Sequence, residues 1–271
     1  MVAGVPLTER AKYQTAEERR GVGQEPHAPP FRRVHGKQFM SRIVLMGPPG
    51  AGKGTQGRRL AAFWHVPHVA SGELLRSVLQ NEGDSRIAEA ARVIERGQMV
   101  TDSVVAELVF GYMEASGGEN GFVLDGYPRN IAQAQTLKER LALSESALDA
   151  VIALEVGETE LLLRLGGRLT CPNCGATFHV RSEPPRVAGV CDRCGSDLTI
   201  RTDDTPEAIR TRLQLYRERT RPLMDFYQDA GLLQTINAEG AEEDVFARCL
   251  EATREAGLER KVELANQPQV R

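Results

Sequence analysis

Aromatic residues are scarce in this chain. Phe, Trp and Tyr together make up 5% of it, with a single tryptophan. Excess positive charge is missing too, since the formal net charge is −3. A protein whose main task is to hold nucleic acid needs a basic, aromatic-laced face, and both absences argue against one. No apolar run approaches the length of a membrane span, and none follows Met1, so neither a membrane anchor nor a secretory signal is expected. Cysteine is too sparse and too regularly placed for a disulfide framework. There are five, and four fall in two Cys-x-x-Cys pairs, which suits a metal site in a reducing cytoplasm. What remains is ordinary for a soluble globular protein, at 41% apolar and 26% charged. The 271 residues suffice for one large α/β domain with insertions, or for two small domains.

The strongest signal is Gly47-Pro48-Pro49-Gly50-Ala51-Gly52-Lys53-Gly54-Thr55. It follows an apolar run, Ile43 to Met46, and precedes a helix-compatible segment from Gln56 to Phe63. A strand, a glycine-rich turn and a helix start form a phosphate cradle. The backbone N–H groups around Gly50, Ala51, Gly52 and Gly54 can face anionic oxygens, and the positive end of the helix adds to the pull. Lys53 can reach the outer phosphates of a triphosphate, and Thr55 offers a hydroxyl near the Mg²⁺ position.

Strand candidates are 42–46, 66–70, 121–125, 149–155 and 232–236. Helices are expected over 53–64, 72–80, 84–96, 102–115, 131–140, 158–166, 206–229 and 241–256. Apolar strands separated by amphipathic helices indicate a parallel sheet covered on both faces, with sites beyond the carboxyl ends of its strands. Gly47, Ser71 and Asp125 stand at such ends. Residues 1–40 read as a disordered extension, rich in Arg, Glu, Gly and Pro, with Met40 as an alternative start. Residues 257–271 read as a loose tail.

A second phosphate-handling segment is Phe122-Val123-Leu124-Asp125-Gly126-Tyr127-Pro128-Arg129. An apolar strand ending in a carboxylate suits Mg²⁺ orientation by Asp125, and Arg129 stands just beyond it. The plainer alternative is an aspartate capping the next helix. Arg76 carries a planar fork suited to phosphate, against a surface ion pair with Glu73 or Glu82. Gln133 can read a purine edge through paired hydrogen bonds, or simply be solvated.

The third signal is Cys171, Cys174, Cys191 and Cys194. Two Cys-x-x-Cys pairs supply four thiolates for a tetrahedral, closed Zn²⁺ site, structural rather than catalytic. His179 lies nearby but is unnecessary as a ligand. Cys249 reads as a small buried apolar residue.

These motifs, with Val69 to Arg76 and Gly97 to Asp102, resemble adenylate kinase in order and spacing from about Ser41 to Glu255. The resemblance implies a parallel-sheet α/β fold of the P-loop type, a kinase domain over 41–256, a helical NMP-binding insertion over 70–99, and a LID over 167–204 like the zinc-bearing LID of some bacterial members. It implies transfer of a phosphoryl group from Mg-ATP to AMP, giving two ADP, and a role in adenine nucleotide homeostasis. Ser71, Gly72, Arg76, Gln98, Met99, Val100, Gly126, Tyr127, Pro128, Arg129 and Gln133 would then surround AMP. Arg164, Arg168, Arg201 and Arg212 would line the phosphate channel, with Arg164 and Arg168 sharing a helix face. Thr177 and Phe178 would cover the ATP adenine. Lys53, Asp125, Arg129, Arg168, Arg201 and Arg212 would carry catalysis by positioning and charge neutralisation. Asp203 and Asp204 would pin the returning LID strand, or be exposed turn residues. The expected cofactors are Mg²⁺ with ATP and structural Zn²⁺. The expected state is a monomer bound to neither nucleic acid nor membrane. Three positions depart from the family pattern: Ser71 for threonine, Glu73 for aspartate, and Leu169 where a second arginine is frequent. Ser71 loses a methyl contact, so a kinase for another nucleoside monophosphate is an alternative, as is a zinc-ribbon ATPase acting on nucleic acid.

Overall fold

The computed structural model describes residues 41–79 and 100–258. The expected extension 1–40, helix 84–96, Gln98, Met99 and the end of the tail lie outside the described residues.

Five strands form one parallel sheet, β1 (Arg42–Met46), β2 (His68–Ala70), β3 (Phe122–Asp125), β4 (Ala150–Glu155) and, last in the chain, β7 (Leu233–Asn237), in the order β2-β3-β1-β4-β7. Every residue of β1 is buried, which explains why it reads as an unbroken apolar run rather than an alternating one. Its side chains part to the two faces. Ile43 and Leu45 join Val123, Ile152 and Leu154 under α1 (Lys53–Trp64), α5 (Glu158–Gly166), α6 (Pro206–Leu215) and α8 (Glu242–Glu255). Val44 and Met46 join Leu124, Val151 and Ala153 under α2 (Ser71–Leu79), α3 (Asp102–Ala115), α4 (Ile131–Ala142) and α7 (Leu223–Asp229). Trp64 and Cys249 pack in the first of these cores, as expected of them. The chain runs from β1 outward to β2, returns to β3, then crosses to β4 and β7. The strand order therefore turns at β1, and its carboxyl end opens the crevice where ligands bind in such sheets.

A small lobe stands apart from the sheet. Its β5 (Arg168–Thr170) pairs antiparallel with β6 (Thr177–His179), and Thr170 bridges to Thr199 on the returning chain. Leu169, Cys171, Ala176, Cys191 and Leu198 form its own core, with Phe178, Val180 and Ile200 against it.

Two local expectations need correction. The helix expected over 206–229 is not continuous. Pro222 has no N–H to give to the carbonyl four residues back, so the chain widens into a π-helical turn over Tyr216–Thr220, where the Arg221 N–H reaches the Tyr216 carbonyl at 2.8 Å. Arg168 does not share a helix face with Arg164 either. Gly166 and Gly167 end α5, and Arg168 opens β5.

Gly57 on α1 is fixed by a close approach. A β-carbon there would lie 2.6 Å from Nε2 of His68 and 3.2 Å from Leu45 Cδ1. Alanine would gain about 1 kcal/mol in helix propensity. The His68 ring is largely enclosed, so overpacking, at about 1–3 kcal/mol, matches or exceeds that gain. Gly57→Ala is therefore expected to lower the melting temperature; a midpoint at or above that of the wild type would show that the ring yields.

Candidate active site

One cleft of about 700 Å³ runs along the carboxyl ends of β1, β2 and β3. The Gly47–Thr55 loop forms its floor. Gly47 has φ 145°, and a side chain there would meet the Leu154 carbonyl at 2.7 Å, so glycine is required for the loop to leave β1 over β4. The first N–H groups of α1 have no intrahelical acceptors and are available to an anion. Lys53 Nζ donates to the Gly47 and Pro48 carbonyls, both at 2.9 Å. Burial lowers its pKa to about 8; Asp125 opposes the shift, while Arg129, Arg212 and Arg168 add to it. Asp125 pairs with Leu45 in register, and its carboxylate faces the start of α1, 3.5 Å from where a Gly54 side chain would begin. Among the described residues, His68 Nε2 lies 4.0 Å from its Oδ2. Burial holds the His68 imidazole below its usual pKa and so favours the neutral form. A carboxylate at the mouth of a phosphate cradle, with no lysine or arginine ion-paired to it among the described residues, suits a hydrated divalent cation.

Cationic groups converge at the middle of the cleft. Arg168 donates from Nε to Asp204 Oδ2 at 2.8 Å, and Arg212 from Nη1 to Asp204 Oδ1 at 2.9 Å. Arg212 also meets Asp203 Oδ2 at 3.2 Å. Asp203 and Asp204 are buried, which decides between the two readings of these turn residues in favour of pinning. Burial alone would raise the Asp203 pKa, but Arg212, Arg76, Arg201 and Arg168 together hold it below the usual carboxylate value. Arg201 donates from Nε to Thr170 Oγ1 at 3.0 Å. Burial and then the nearby Arg168 and Arg76 push its pKa down to about 9, still charged at neutral pH. Arg129 donates from Nε to the Gly126 carbonyl at 2.7 Å, and its own carbonyl accepts from Thr220 Oγ1 at 3.0 Å. Lys53 and these arginines outnumber Asp125, Asp203 and Asp204, so the centre of the cleft attracts anions.

On one side, Ser71, Gly72, Arg76, Gly126, Pro128 and Gln133 line the wall, with Leu75, Val100 and Val105 as an apolar slot. The Ser71 hydroxyl donates to the Gly126 carbonyl at 2.7 Å. Arg76 does not pair with Glu73, which instead meets Arg58 at 3.0 Å. Among the described residues expected in the wall, Tyr127 is the exception. It is fully buried behind the wall, edge-on to Phe110, and burial raises its pKa to about 12. On the other side, Arg164, Thr177 and Phe178 face a wall made by Ala238, Ala241 and Val245. Arg164 is held by Glu160 at 2.7 Å and the Ala238 carbonyl at 3.1 Å. Arg58 and the Ala238–Val245 wall escaped the sequence reading, because neither carries a motif.

At the lobe's tip the sulfur atoms of Cys171, Cys174, Cys191 and Cys194 all lie within 4.8 Å of one another. Cys171 and Cys194 are 3.4 Å apart, Cys174 and Cys191 3.6 Å, and none is in a disulfide. Sulfurs at 2.3 Å from a tetrahedral centre would be separated by about 3.8 Å. Each pair closes a tight knuckle in which a left-handed glycine, Gly175 or Gly195, donates its N–H to the first cysteine's carbonyl.

Comparison with known proteins agrees with this geometry. A family profile described as Adenylate kinase matches residues 45–232. The adenylate kinase of Syntrophobacter fumaroxidans is 42% identical over 206 residues, covering 76% of this chain and 96% of that protein. That of Streptomyces griseus is 44% identical over 212 residues, 78% of this chain and 96% of that protein. With the phosphate cradle at the sheet's switch point and relatives matched along almost their whole length, the chain belongs to the adenylate kinase family.

Proposed function

We propose that the protein transfers the terminal phosphoryl group of Mg-ATP to AMP, reversibly, giving two ADP. The observation that carries this reading is a cleft that brings together a phosphate cradle with Lys53, the Ser71–Arg76 segment, Thr177 and Phe178 of the lobe, and the guanidinium groups of Arg129, Arg168, Arg201 and Arg212. ATP would lie with its phosphates over Gly50 to Thr55 and its base between Arg164, Thr177 and Phe178 on one wall and Ala238 to Val245 on the other. AMP would enter by Ser71, Gly72, Arg76 and Val100, with its base at Gln133.

The attacking phosphate oxygen of AMP is already an anion, so no strong base is required. Catalysis then rests on holding two polyanions in line while charge moves between them. Arg129, Arg168, Arg201 and Arg212 would neutralise the transferring group, and Lys53 the outer oxygens of ATP. Thr55 and Asp125 would hold Mg²⁺, which supplies further charge neutralisation on the bridging phosphates. Arg168 and Arg201 stand on the lobe and Arg212 on α6, so closure of the lobe as a LID over 167–204 would complete the ring and exclude water. Residues 70–79 would begin the NMP-binding insertion. The four cysteines would hold Zn²⁺, which replaces a larger core in a lobe too small to stabilise itself. Reduced thiols suit a cytoplasmic setting. Every group invoked comes from one chain, so a monomer is sufficient.

A coupled ADP-formation assay with AMP, GMP, CMP and UMP in turn is expected to show AMP as the preferred acceptor. Lys53→Ala and Arg129→Ala should each lower kcat by about a hundredfold or more. Nucleotide-stimulated phosphate release with no monophosphate phosphorylated would overturn the reading.

Chelation is expected to remove zinc detectable by elemental analysis and to lower the temperature at which the lobe unfolds, ahead of the sheet. A metal-free protein with an unchanged calorimetric profile would rule out the structural role.

A further inference from the structure

Gln133 is held by both ends of its amide. It is 3% exposed, on the first turn of α4, and its own N–H is capped by Asn130 Oδ1 at 2.9 Å. Its Oε1 accepts the backbone N–H of Arg129 at 2.7 Å, and its Nε2 donates to Asp102 Oδ1 at 2.7 Å. Asp102, at the start of α3, is itself oriented by Asn130 Nδ2, at 3.1 and 2.9 Å from its two oxygens. A peptide N–H can only donate and a carboxylate can only accept. The two partners therefore demand the same amide orientation. Turning the amide over would set Nε2 against the Arg129 N–H and Oε1 against the Asp102 carboxylate.

With those bonds made, the amide has one Nε2 proton and one Oε1 lone pair left. A 6-aminopurine edge matches them, with N1 accepting from Nε2 and the exocyclic amine donating to Oε1. A 6-oxopurine presents the opposite pattern, a donor at N1 and an acceptor at O6. It could be read only if the amide turned over. The base cannot invert instead, because its ribose and phosphate would be held on the Arg76 and Arg129 side of the slot.

We propose that Asp102 is a specificity-determining positioning residue: by fixing the amide of Gln133 it makes the acceptor site read a 6-aminopurine monophosphate and reject 6-oxopurine monophosphates. This rests on the acceptor site assigned above. Gln133 is buried, so a mispaired amide there is costly. Asp102 is more exposed, and water softens its share of the lock.

The test is kcat/KM for AMP, IMP and GMP with ATP as donor, in the wild type, Asp102→Asn, Gln133→Leu and the double variant, with folding checked by thermal melts. A site built to pair with its substrate's polar edge should favour AMP over IMP by about a thousandfold or more. Asp102→Asn, whose amide can present either a donor or an acceptor, should cut that ratio by about tenfold. In the Gln133→Leu background the same change should leave the ratio unaltered, because Asp102 acts through Gln133. Asp102→Glu retains a carboxylate and should keep the ratio within about threefold, which guards against a poorly folded asparagine variant. A merely structural role would lower AMP and IMP turnover by the same factor in both backgrounds; that outcome overturns the inference while leaving the kinase reading intact. A wild type that forms no ADP from AMP would overturn both.

Discussion

The constraint on which this molecule depends is electrostatic. Lys53, Arg76, Arg129, Arg168, Arg201 and Arg212 are drawn into one enclosed space, where burial and mutual repulsion push the pKa values of Lys53 and Arg201 well down. Such a cluster persists only because the protein supplies partial compensation: Asp203 and Asp204 inside the wall, the carbonyls of Gly47, Pro48 and Gly126 facing the cleft, and the hydroxyl of Thr170. Compensation is incomplete, and the remaining charge is the driving force for binding polyphosphates. Full neutralisation would make a more stable protein with less attraction for its substrates.

The sheet serves this arrangement. Its order turns at β1, so the loop after β1 lies between the loops after β3 and β4 rather than beside one neighbour. Phosphate cradle, Asp125 and Arg129 thus approach one point from adjacent strand ends. The covering helices add to it from outside: α2 brings Arg76, α6 brings Arg212, and the π-helical turn brings Thr220 to the Arg129 carbonyl. What looks in sequence like one long helix is an interrupted one, and the interruption places a hydroxyl at the site.

The glycine-rich loop, the strand ending in Asp125 and the cysteine quartet could all be read directly, because each is a local pattern in which residue type and spacing dictate the chemistry. The cores of β1, β3 and β4 were equally plain, being buried on both faces. Less accessible were the contacts that join distant segments. Asp102 and Gln133 meet across two helices, and nothing near either residue announces it. Glu73 stands three positions before Arg76 on the same helix, yet Arg58 on α1 takes it. Tyr127 sits inside a motif whose neighbours face the cleft, but its bulk turns it into the core. Arg168 lies four residues from Arg164, but a glycine pair between them ends the helix. In each case tertiary packing overrides a local rule, which single-residue propensities do not encode.

The lobe carrying the cysteines joins the rest of the chain at a backbone clasp, and His179 also meets the Leu163 carbonyl of α5 at 3.0 Å. Thr170 and Thr199 exchange backbone hydrogen bonds at 2.8 and 2.9 Å, so the outgoing and returning segments are zipped together where the lobe begins. Seen from the sheet, everything beyond that clasp is a closed loop with its own small interior. That interior shares no residue with the two cores on the sheet. Arg168 and Arg201 each stand two residues from that clasp, and Arg201 donates to the Thr170 hydroxyl within it, so the clasp rather than the cysteine cluster sets where their two guanidinium groups enter the cleft.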